Sequence, residues 1–437
     1  MRSRWEDLPE QVRHEARRSL LNFFGTALGG CRDGATQRAV QVLSLFAGKP
    51  EASVIGRSEK LDILGAAFIN AVSGNVFDFD DNHHNTIIHP TAPVAPALLA
   101  LAERQPITGT ALLHAFVLGV EVECRLGNAI SPGHYKRGWH ITSTCGIFGA
   151  AAAVAKILGL DADRTVWAIG NASAQSAGLV ETLGTMAKSI SVGNAARGGI
   201  LAALLAETGF TAPDEPIAGA RGFAQVMGNA PNFAAVTEGL GETWEILANS
   251  HKPYPCGVVL NPVIDACFEL RARPELSLDR IAHIRVEGHP LLRERTDRPN
   301  VTTGREAQVS AQHSVAAVLI HGAASVVQYG DACVNSPDVL ALRRKVEVIE
   351  APDIPVEAAR VTIALDSGEM LTALVENARG TPKRPLTDAE IEAKVRDLAR
   401  HGCPDCDPSP LIDAIWSLDR AKDAGAFMAL ARPTTPV

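Results

Sequence analysis

The sequence NVFDFDDNHHNTIIHP, residues 75–90, places three carboxylates and three imidazoles in one short segment between two apolar stretches. The apolar stretches, residues 63–72 and 94–102, have the length and composition of buried helices. The polar segment therefore lies where the chain turns between core elements, a place where charged groups are costly unless they are paired or used in chemistry. Helix capping needs only one or two of these side chains, with Pro90 opening the next helix. We therefore interpret the segment as a candidate functional site.

Composition indicates closely packed helices. Of the 437 residues, 46% are hydrophobic, only 5% are aromatic and 37 are glycine. This length allows two or three domains with a large core. The formal net charge is −8, and the longest basic run is the three residues 343–345. We expect no nucleic acid and no membrane as partner, whereas a small anionic substrate is compatible because local lysines can outweigh the mean charge.

The cysteines indicate reduced thiols in a cytoplasmic protein. Eight are scattered among apolar neighbours, at Cys31, Cys124, Cys145, Cys256, Cys267, Cys333, Cys403 and Cys406. Cys403 and Cys406 form a lone CxxC motif. A zinc site would need two further ligands at comparable spacing, and a redox dithiol would be expected near a βαβ unit, so we favour neither role. We recognise no signal peptide and no membrane-spanning pattern.

The pattern of apolar residues divides the chain into a mainly helical part and a mixed part. Helices are predicted near residues 10–30, 110–126, 145–160, 163–179 and 193–209. After residue 276 the pattern alternates, which predicts strands near 281–286, 346–348, 361–365 and 371–375, the last two forming a hairpin, with helices at 310–324 and 388–399. We therefore expect a mainly α protein, with an all-helical domain over residues 1–265, completed by 405–437, and a smaller α/β domain over 266–404.

Three further polar segments precede predicted helices or follow a turn. They contain His140 within residues 138–144, Lys188 within 184–193, and Lys252 within 251–257. Free backbone N–H groups and the positive end of a helix suit such places to anions. For each lysine alone, the alternative is a solvated side chain, and for His140 it is a hydrogen-bonded core imidazole.

Together these segments resemble the MmgE/PrpD family of 2-methylcitrate dehydratases, cis-aconitate decarboxylases and iminodisuccinate epimerases. The resemblance covers nearly the whole chain. It is carried by FDFDDNHHNTIIHP at 77–90, GHYKRGWHITSTCGIFGAAAAVAKILG at 133–159, GTMAKSISVGNAARGG at 184–199, HKPYPCG at 251–257 and REAQVSAQHSVAAVLIHG at 305–322. It implies a helical first domain, a smaller α/β lid, a pocket between the two domains, a homodimer, and chemistry on polycarboxylates with neither metal nor organic cofactor.

The resemblance also implies roles for individual residues. Catalytic roles fall on Asp78, His89, His140, Lys188 and Lys252, and we expect the substrate to be contacted by Asn82, His84, Tyr254 and His313. Relatives commonly carry other residues at Asn82, Ser191, Asn261 and His313, so the substrate is left open. We expect 2-methylcitrate itself to be a poor substrate for this reason.

The chemistry shared by such enzymes is proton transfer at a carbon next to a carboxylate. Lysines would neutralise substrate carboxylates, His89 or His140 would act as base or acid, and Asp78 would orient an imidazole. Loss of water is the outcome expected first, with epimerisation or decarboxylation as alternatives. Two readings from other classes also remain open. One is a metal-dependent hydrolase with ligands Asp78, Asp80, Asp81, His83, His84 and His89, and the other is a non-catalytic carboxylate-binding protein.

Overall fold

The computed structural model describes residues 3–433, which are mainly helical, as the sequence predicts. The helices, numbered in chain order, are α1 (Glu10–Gly30), α2 (Gly34–Leu43), α3 (Ile63–Asn75), α4 (Thr91–Arg104), α5 (Gly109–Ile130), α6 (Gly133–Lys136), α7 (Ile141–Ile157), α8 (Ala162–Ser173), α9 (Ala187–Glu207), α10 (Phe223–Met227), α11 (Ala234–Thr237), α12 (Asn261–Arg271), α13 (Pro290–Thr296), α14 (Gly304–Ala307), α15 (Ala311–His321), α16 (Asp331–Val334), α17 (Pro337–Arg343), α18 (Asp388–Gly402) and α19 (Ser409–Trp416). The two buried helices predicted on either side of residues 75–90 are confirmed as α3 and α4.

The strands are short or confined to the later part of the chain. They are β1 (Ala52–Ser53), β2 (Lys60–Leu61), β3 (Asp81–His83), β4 (Asn249–His251), β5 (Ile281–Gly288), β6 (Val346–Glu350), β7 (Ala359–Leu365) and β8 (Met370–Val375). The last four form one sheet in the order β6-β5-β7-β8, and the earlier ones pair two by two. In the sheet, β5 is parallel to β6 and antiparallel to β7. The strands predicted from alternating hydrophobicity are thus confirmed.

The predicted hairpin corresponds to β7 and β8. These strands are antiparallel, with Ala364 opposite Met370. Along β7 the side chains of Val361, Ile363 and Leu365 are buried, whereas the residues between them are partly exposed. Because successive side chains of a strand point to opposite faces, one face of this sheet packs on the core.

The described chain forms two compact units. The first contains the chain up to Val76, Asp80–Ser250 and the chain from Thr387 onward, and the second contains Phe77–Phe79 and His251–Leu386. These limits differ from the predicted domain limits at residues 266 and 404. Helix α12 packs on β7 and β8 of the second unit, and α18 packs on α1 of the first. The elements on which α12 and α18 pack therefore decide the unit to which each helix belongs.

Small residues allow the helices of the first unit to lie very close together. Gly119 of α5 and Gly149 of α7 face each other, and a Cβ atom at Gly119 would lie 2.7 Å from the carbonyl oxygen of Gly149. On the other side of α7, a Cβ at Gly199 of α9 would lie 2.4 Å from the Cβ of Ala150. No side chain fits at such distances, which explains the richness in glycine and alanine read from the sequence.

Some boundaries differ from the predictions. Helix α8 ends at Ser173 rather than near residue 179, and the chain after it runs through turns before α9. The part of the chain from residue 405 on, which we expected to complete the helical domain, consists over its described residues of α19 and of shorter 3-10 turns, the last at Ala426–Ala431. Local glycines and turns interrupt the apolar pattern in both places, so the periodicity overestimated helix length.

The expectation that all cysteines are reduced is wrong for one pair. Cys403 and Cys406 are joined by a disulfide, whereas the six other cysteines, all within the described residues, are free. Helix α18 ends at Gly402, and the turn that follows places the two Cα atoms 5.5 Å apart. This separation is in the range that a disulfide requires.

Helix α9 is long and apolar enough to cross a membrane by length and composition alone. Inside the protein, 61% of its most apolar window is buried. A core helix passes the same test, so the finding does not distinguish a membrane span from a core helix.

The carboxyl group of Glu123, on α5, is buried in the first unit. The residue is 0% exposed, and neither carboxyl oxygen has a hydrogen-bond partner among the described residues. The missing side chain at Gly146 makes room for it, because a Cβ there would lie 3.0 Å from Glu123 Oε2. Burial, together with the nearby carboxylate of Asp81, raises the pKa of Glu123 well above its usual range. Both effects favour the protonated, neutral form of Glu123 in the folded protein.

We predict that Glu123→Gln stabilises the protein more as the pH rises from 5 to 8. A raised folded-state pKa means that the folded chain binds a proton that the unfolded chain releases, so wild-type stability falls with pH in this range. Between the unfolded-state and the folded-state pKa of Glu123, each pH unit should favour the variant by about 1.4 kcal/mol relative to wild type. Thermal unfolding of both proteins across this pH range measures the difference. A constant or shrinking difference would show that Glu123 is ionised in the folded state.

Candidate active site

His89 is a buried imidazole held next to a buried carboxylate. In the first unit, His89 Nδ1 lies 3.0 Å from Asp80 Oδ1, and the two side chains are 10% and 1% exposed. The amide of Asn75, the last residue of α3, donates to Asp80 Oδ2 at 2.7 Å, and the Ser189 hydroxyl of α9 donates to Asn75 Oδ1 at 3.2 Å. The end of α3 and the start of α9 thus fix the carboxylate, and the carboxylate fixes the ring. Such an oriented imidazole is suited to general acid or base chemistry.

His140 precedes the first turn of α7. Its backbone N–H donates to the Gly178 carbonyl at 3.0 Å, and the residue is 3% exposed. Its Nδ1 lies 3.3 Å from Ser143 Oγ and 3.4 Å from Ser191 Oγ. The predicted location of His140 at a helix start is therefore confirmed, and its ring has polar neighbours on the Nδ1 side.

The first turn of α7 connects the two imidazoles. The hydroxyl of Thr142 accepts a hydrogen bond from the backbone N–H of His89 at 3.1 Å. His140 lies two residues before Thr142, so the same helix end holds His140 directly and His89 through its backbone. The structure therefore ties the backbone of His89 to the helix end that His140 precedes, and their common role in catalysis stays a prediction.

Lys188 is the second residue of α9 and is half-buried. Its backbone N–H donates to the Thr185 carbonyl at 3.4 Å, so it belongs to the first helical turn. A cationic side chain at the positive end of a helix is favourable for binding a carboxylate. The predicted position of Lys188 at a helix start is confirmed, and its binding role remains a prediction.

The residues of β3 and His84, which follows it, have different environments. Asn82 is buried, with its amide donating to the His83 carbonyl at 3.3 Å, whereas His84 is exposed. His83 contacts Thr86 Oγ1 at 2.8 Å and Glu245 Oε2 at 3.0 Å. The hydrogen bond from His83 lowers the pKa of Glu245 despite its burial. His83, one of the candidate metal ligands, is thus already bonded within the first unit.

In the second unit, Lys252 forms a buried ion pair with Asp78. Lys252 Nζ lies 3.2 Å from Asp78 Oδ1 and donates to the Asp78 carbonyl at 3.0 Å, and the side chain of Lys252 is only 2% exposed. Asp78 has φ of 52°, a left-handed conformation that is unusual for a residue other than glycine. Lys252 is therefore not a solvated surface lysine. Asp78 contacts this lysine, and within the first unit it is Asp80 that contacts the His89 ring.

Tyr254 and His313 are both buried within the second unit. The Tyr254 hydroxyl donates to Asp265 Oδ1 at 2.5 Å, and burial, with the charge of Asp265, raises the pKa of Tyr254. His313 is 0% exposed and its Nε2 donates to the Gln328 carbonyl at 2.8 Å. Burial lowers the pKa of His313 to about 4, so this imidazole is neutral at pH 7. Both groups have partners inside the unit, and contact with a substrate stays a prediction.

The sequence analysis assigned no role to several residues that hold the two histidines or their hydrogen-bond partners. The missed residues are Asn75, Thr142, Ser143, Gly178 and Ser189, and Asp80 was considered only as a metal ligand. Asn75 gave a signal, because it is an amide at the end of an otherwise apolar helix. The others are small residues whose role depends on which helices meet, and that is not readable from spacing.

Comparison with known protein families places the chain in one family. Residues 1–235 match the MmgE/PrpD N-terminal domain, and residues 254–418 match the MmgE/PrpD C-terminal domain. The chain therefore belongs to the MmgE/PrpD family.

Curated relatives match over almost their whole length. The cis-aconitate decarboxylase of Aspergillus terreus is 28% identical, covering 97% of this chain and 92% of the relative. The cis-aconitate decarboxylase of Homo sapiens is 27% identical, covering 98% and 92%. A cis-aconitate decarboxylase-like protein of Aspergillus oryzae is 27% identical, covering 97% and 94%.

We predict that Lys252→Met destabilises the protein by about 3–5 kcal/mol, because it leaves the Asp78 carboxylate without its buried counter-ion. Adding Asp78→Asn should recover part of this loss, since the uncompensated charge is then removed. Lys383→Met is the control, because Lys383 is 70% exposed where it pairs with Glu357, and it should change stability by less than about 0.5 kcal/mol. Urea unfolding followed by circular dichroism measures all four proteins. Equal stability of Lys252→Met and wild type would contradict the ion-pair interpretation.

Proposed function

We propose that this protein is a lyase that removes carbon dioxide from an unsaturated tricarboxylate of the cis-aconitate type. The observation that carries the proposal is that His89, through its backbone, and His140 are both tied to the first turn of α7, each buried and each with an orienting oxygen at Nδ1. The activities named for the full-length relatives add the substrate class.

The proposed reaction needs a cation to hold carboxylates and an acid to protonate carbon. When the carbon–carboxylate bond breaks, its electron pair stays on the substrate carbon skeleton, and that skeleton takes up one proton as carbon dioxide leaves. Lys188, at the start of α9, would neutralise a carboxylate that is retained. One imidazole would supply the proton and the other would orient or polarise the substrate. Lys252 would hold a further carboxylate, with Asp78 as its counter-ion.

We place decarboxylation before loss of water, although the sequence alone favoured loss of water. Both reactions start from the same groups, because each generates negative charge at a carbon next to a carboxylate. The names of the relatives decide the order in which we place them, because the relatives described above are named as decarboxylases or as decarboxylase-like. Loss of water and epimerisation remain the alternative reactions, and the products formed distinguish them from decarboxylation.

We predict that the purified protein converts cis-aconitate to carbon dioxide and a dicarboxylate, and that it turns over 2-methylcitrate poorly. Proton NMR in deuterated buffer, with 2-methylcitrate, citrate, cis-aconitate and iminodisuccinate in parallel, identifies both the product and the exchanging carbon. Activity should survive exhaustive chelation, since no step is assigned to a metal. Water release from 2-methylcitrate at a kcat/KM near 10⁴ M⁻¹s⁻¹ or above would establish the dehydratase instead. Activity restored only by a divalent ion would favour the hydrolase.

We predict that Asp80→Asn lowers kcat by roughly 10²-fold with little change in KM, because the amide does not supply the charge that holds the His89 ring. His89→Ala and His140→Ala should act in the same direction. Lys188→Met should chiefly raise KM, because it removes a cation that binds the substrate. Asp366→Asn is a matched control, since Asp366 is 62% exposed and the chemical change is identical. Steady-state kinetics on correctly folded variants separates these effects, and wild-type kinetics for Lys188→Met would make Lys188 a surface charge.

Three other expectations are part of the proposal. The second unit would act as a lid, the protein would be a homodimer, and it would work in the cytoplasm without an organic cofactor. Sedimentation velocity measures the oligomeric state, and a monomer at micromolar concentration would remove the dimer from the proposal.

A further inference from the structure

His140 has two serine neighbours at the same ring nitrogen. Nδ1 of His140 lies 3.3 Å from Ser143 Oγ and 3.4 Å from Ser191 Oγ. Each serine hydroxyl already donates its hydrogen to a backbone carbonyl, Ser143 to His140 at 2.9 Å and Ser191 to Lys188 at 2.8 Å. A hydroxyl has one hydrogen and two lone pairs, so both serines present lone pairs to the imidazole. A nitrogen facing two acceptors is satisfied only when it carries a hydrogen itself.

Gly178 makes room for this arrangement. Its carbonyl accepts the backbone N–H of His140 at 3.0 Å, and its φ of 140° is a conformation that side chains rarely adopt. A Cβ atom at Gly178 would overlap the Ser143 hydroxyl and would lie 3.2 Å from the Cβ of Ser191. The turn after α8 therefore supports both the backbone and the ring environment of His140.

One side of the serine pair borders a cavity. Ser143 and Ser191 line a cavity of about 710 Å³ in the first unit, together with apolar side chains that include Leu64, Ile147 and Leu179. Ser143 is 1% exposed, whereas Ser191 is partly exposed. Water in the cavity can reach Ser191 and bind its second lone pair, so the serine pair can remain hydrogen-bonded when the ring becomes positively charged.

We propose that Ser143 and Ser191 are positioning residues that hold His140 in the form with a hydrogen on Nδ1, which leaves Nε2 as the atom that exchanges a proton with the substrate. The inference deepens the proposed function and rests on it for the catalytic consequence. The form of the ring itself is independent of any substrate. A neutral imidazole has one hydrogen and one lone pair, and the partner of one nitrogen decides the state of the other. With Nδ1 bonded, Nε2 is a lone pair in the neutral ring and a donor in the charged ring.

The direct test is nitrogen-15 NMR of histidine-labelled protein without substrate, at a pH where the ring is neutral. Comparison with His140→Gln assigns the His140 signals. We expect a protonated Nδ1 and a bare Nε2 in wild type, and loss of that preference in the double variant Ser143→Ala with Ser191→Ala. A wild-type ring with its hydrogen on Nε2 would overturn the inference, whatever the enzyme turns over.

Kinetics on the proposed substrate adds a second test. The double variant should lose roughly tenfold or more in kcat with KM nearly unchanged, because a ring in the wrong tautomer cannot exchange its proton at Nε2. Ser191→Thr keeps a hydroxyl and should stay near wild type. Ser173→Ala is the matched control, since the Ser173 hydroxyl also donates to a carbonyl, that of Gly170 at 2.7 Å, at the end of another helix.

The outcomes separate this inference from the proposed function. If wild type turns over none of the acids but shows the Nδ1 form that the double variant loses, the proposed function fails and the inference on the ring holds. If the double variant keeps the wild-type ring form, the serines do not set it and the inference is overturned. Should the double variant fail to fold, the two single serine variants give the same readout, each with a smaller change.

Discussion

The close approach of α7 to its two neighbours is the constraint on which the site depends. Gly119 and Gly149 let α5 and α7 meet backbone to backbone, and Gly199 does the same for α9 and α7. Because interiors pack as densely as organic crystals, helices at such distances cannot shift without a clash. The start of α7 is therefore fixed in space, and with it His140, Ser143 and the hydroxyl that holds the backbone of His89.

Within each unit, buried charged side chains are paired. In the first unit, Asp80 is held by an amide and an imidazole, and in the second unit Lys252 is held by Asp78. A buried ion whose partner is removed costs several kcal/mol, so these groups are fixed in place as pairs. His313 is buried without a charged partner among the described residues, and burial lowers its pKa so that its ring is neutral at pH 7. The buried charged groups named here therefore each have a partner within their own unit, whereas His313 needs no counter-ion because it is neutral.

Much of the fold was readable from the sequence, because hydrophobic periodicity reports which face of an element is buried. This holds for α3, α4 and the hairpin of β7 and β8. Periodicity does not report where a helix stops when glycines follow, which is why α8 was predicted too long. It also does not report which partner a helix chooses, and so the assignment of α12 and α18 to their units required the structure. His89 was predicted from the polar segment between α3 and α4, and His140 from its residue type and its position at the start of α7. Asp80, Asn75 and the serines were not, since their role arises only when three helices meet.

The neutral carboxyl group of Glu123 gives the fold an uncommon relation to acidity. Most proteins lose stability on acidification, because carboxylates that are paired in the folded state must be protonated. Because burial raises the pKa of Glu123, the folded chain binds a proton that the unfolded chain releases at pH values between the unfolded-state and folded-state pKa. The heat of unfolding therefore contains the heat of ionisation of the surrounding buffer, and calorimetry in phosphate and in Tris would give different enthalpies for the same protein. A mild fall in pH from neutrality would, through this residue, favour the native chain.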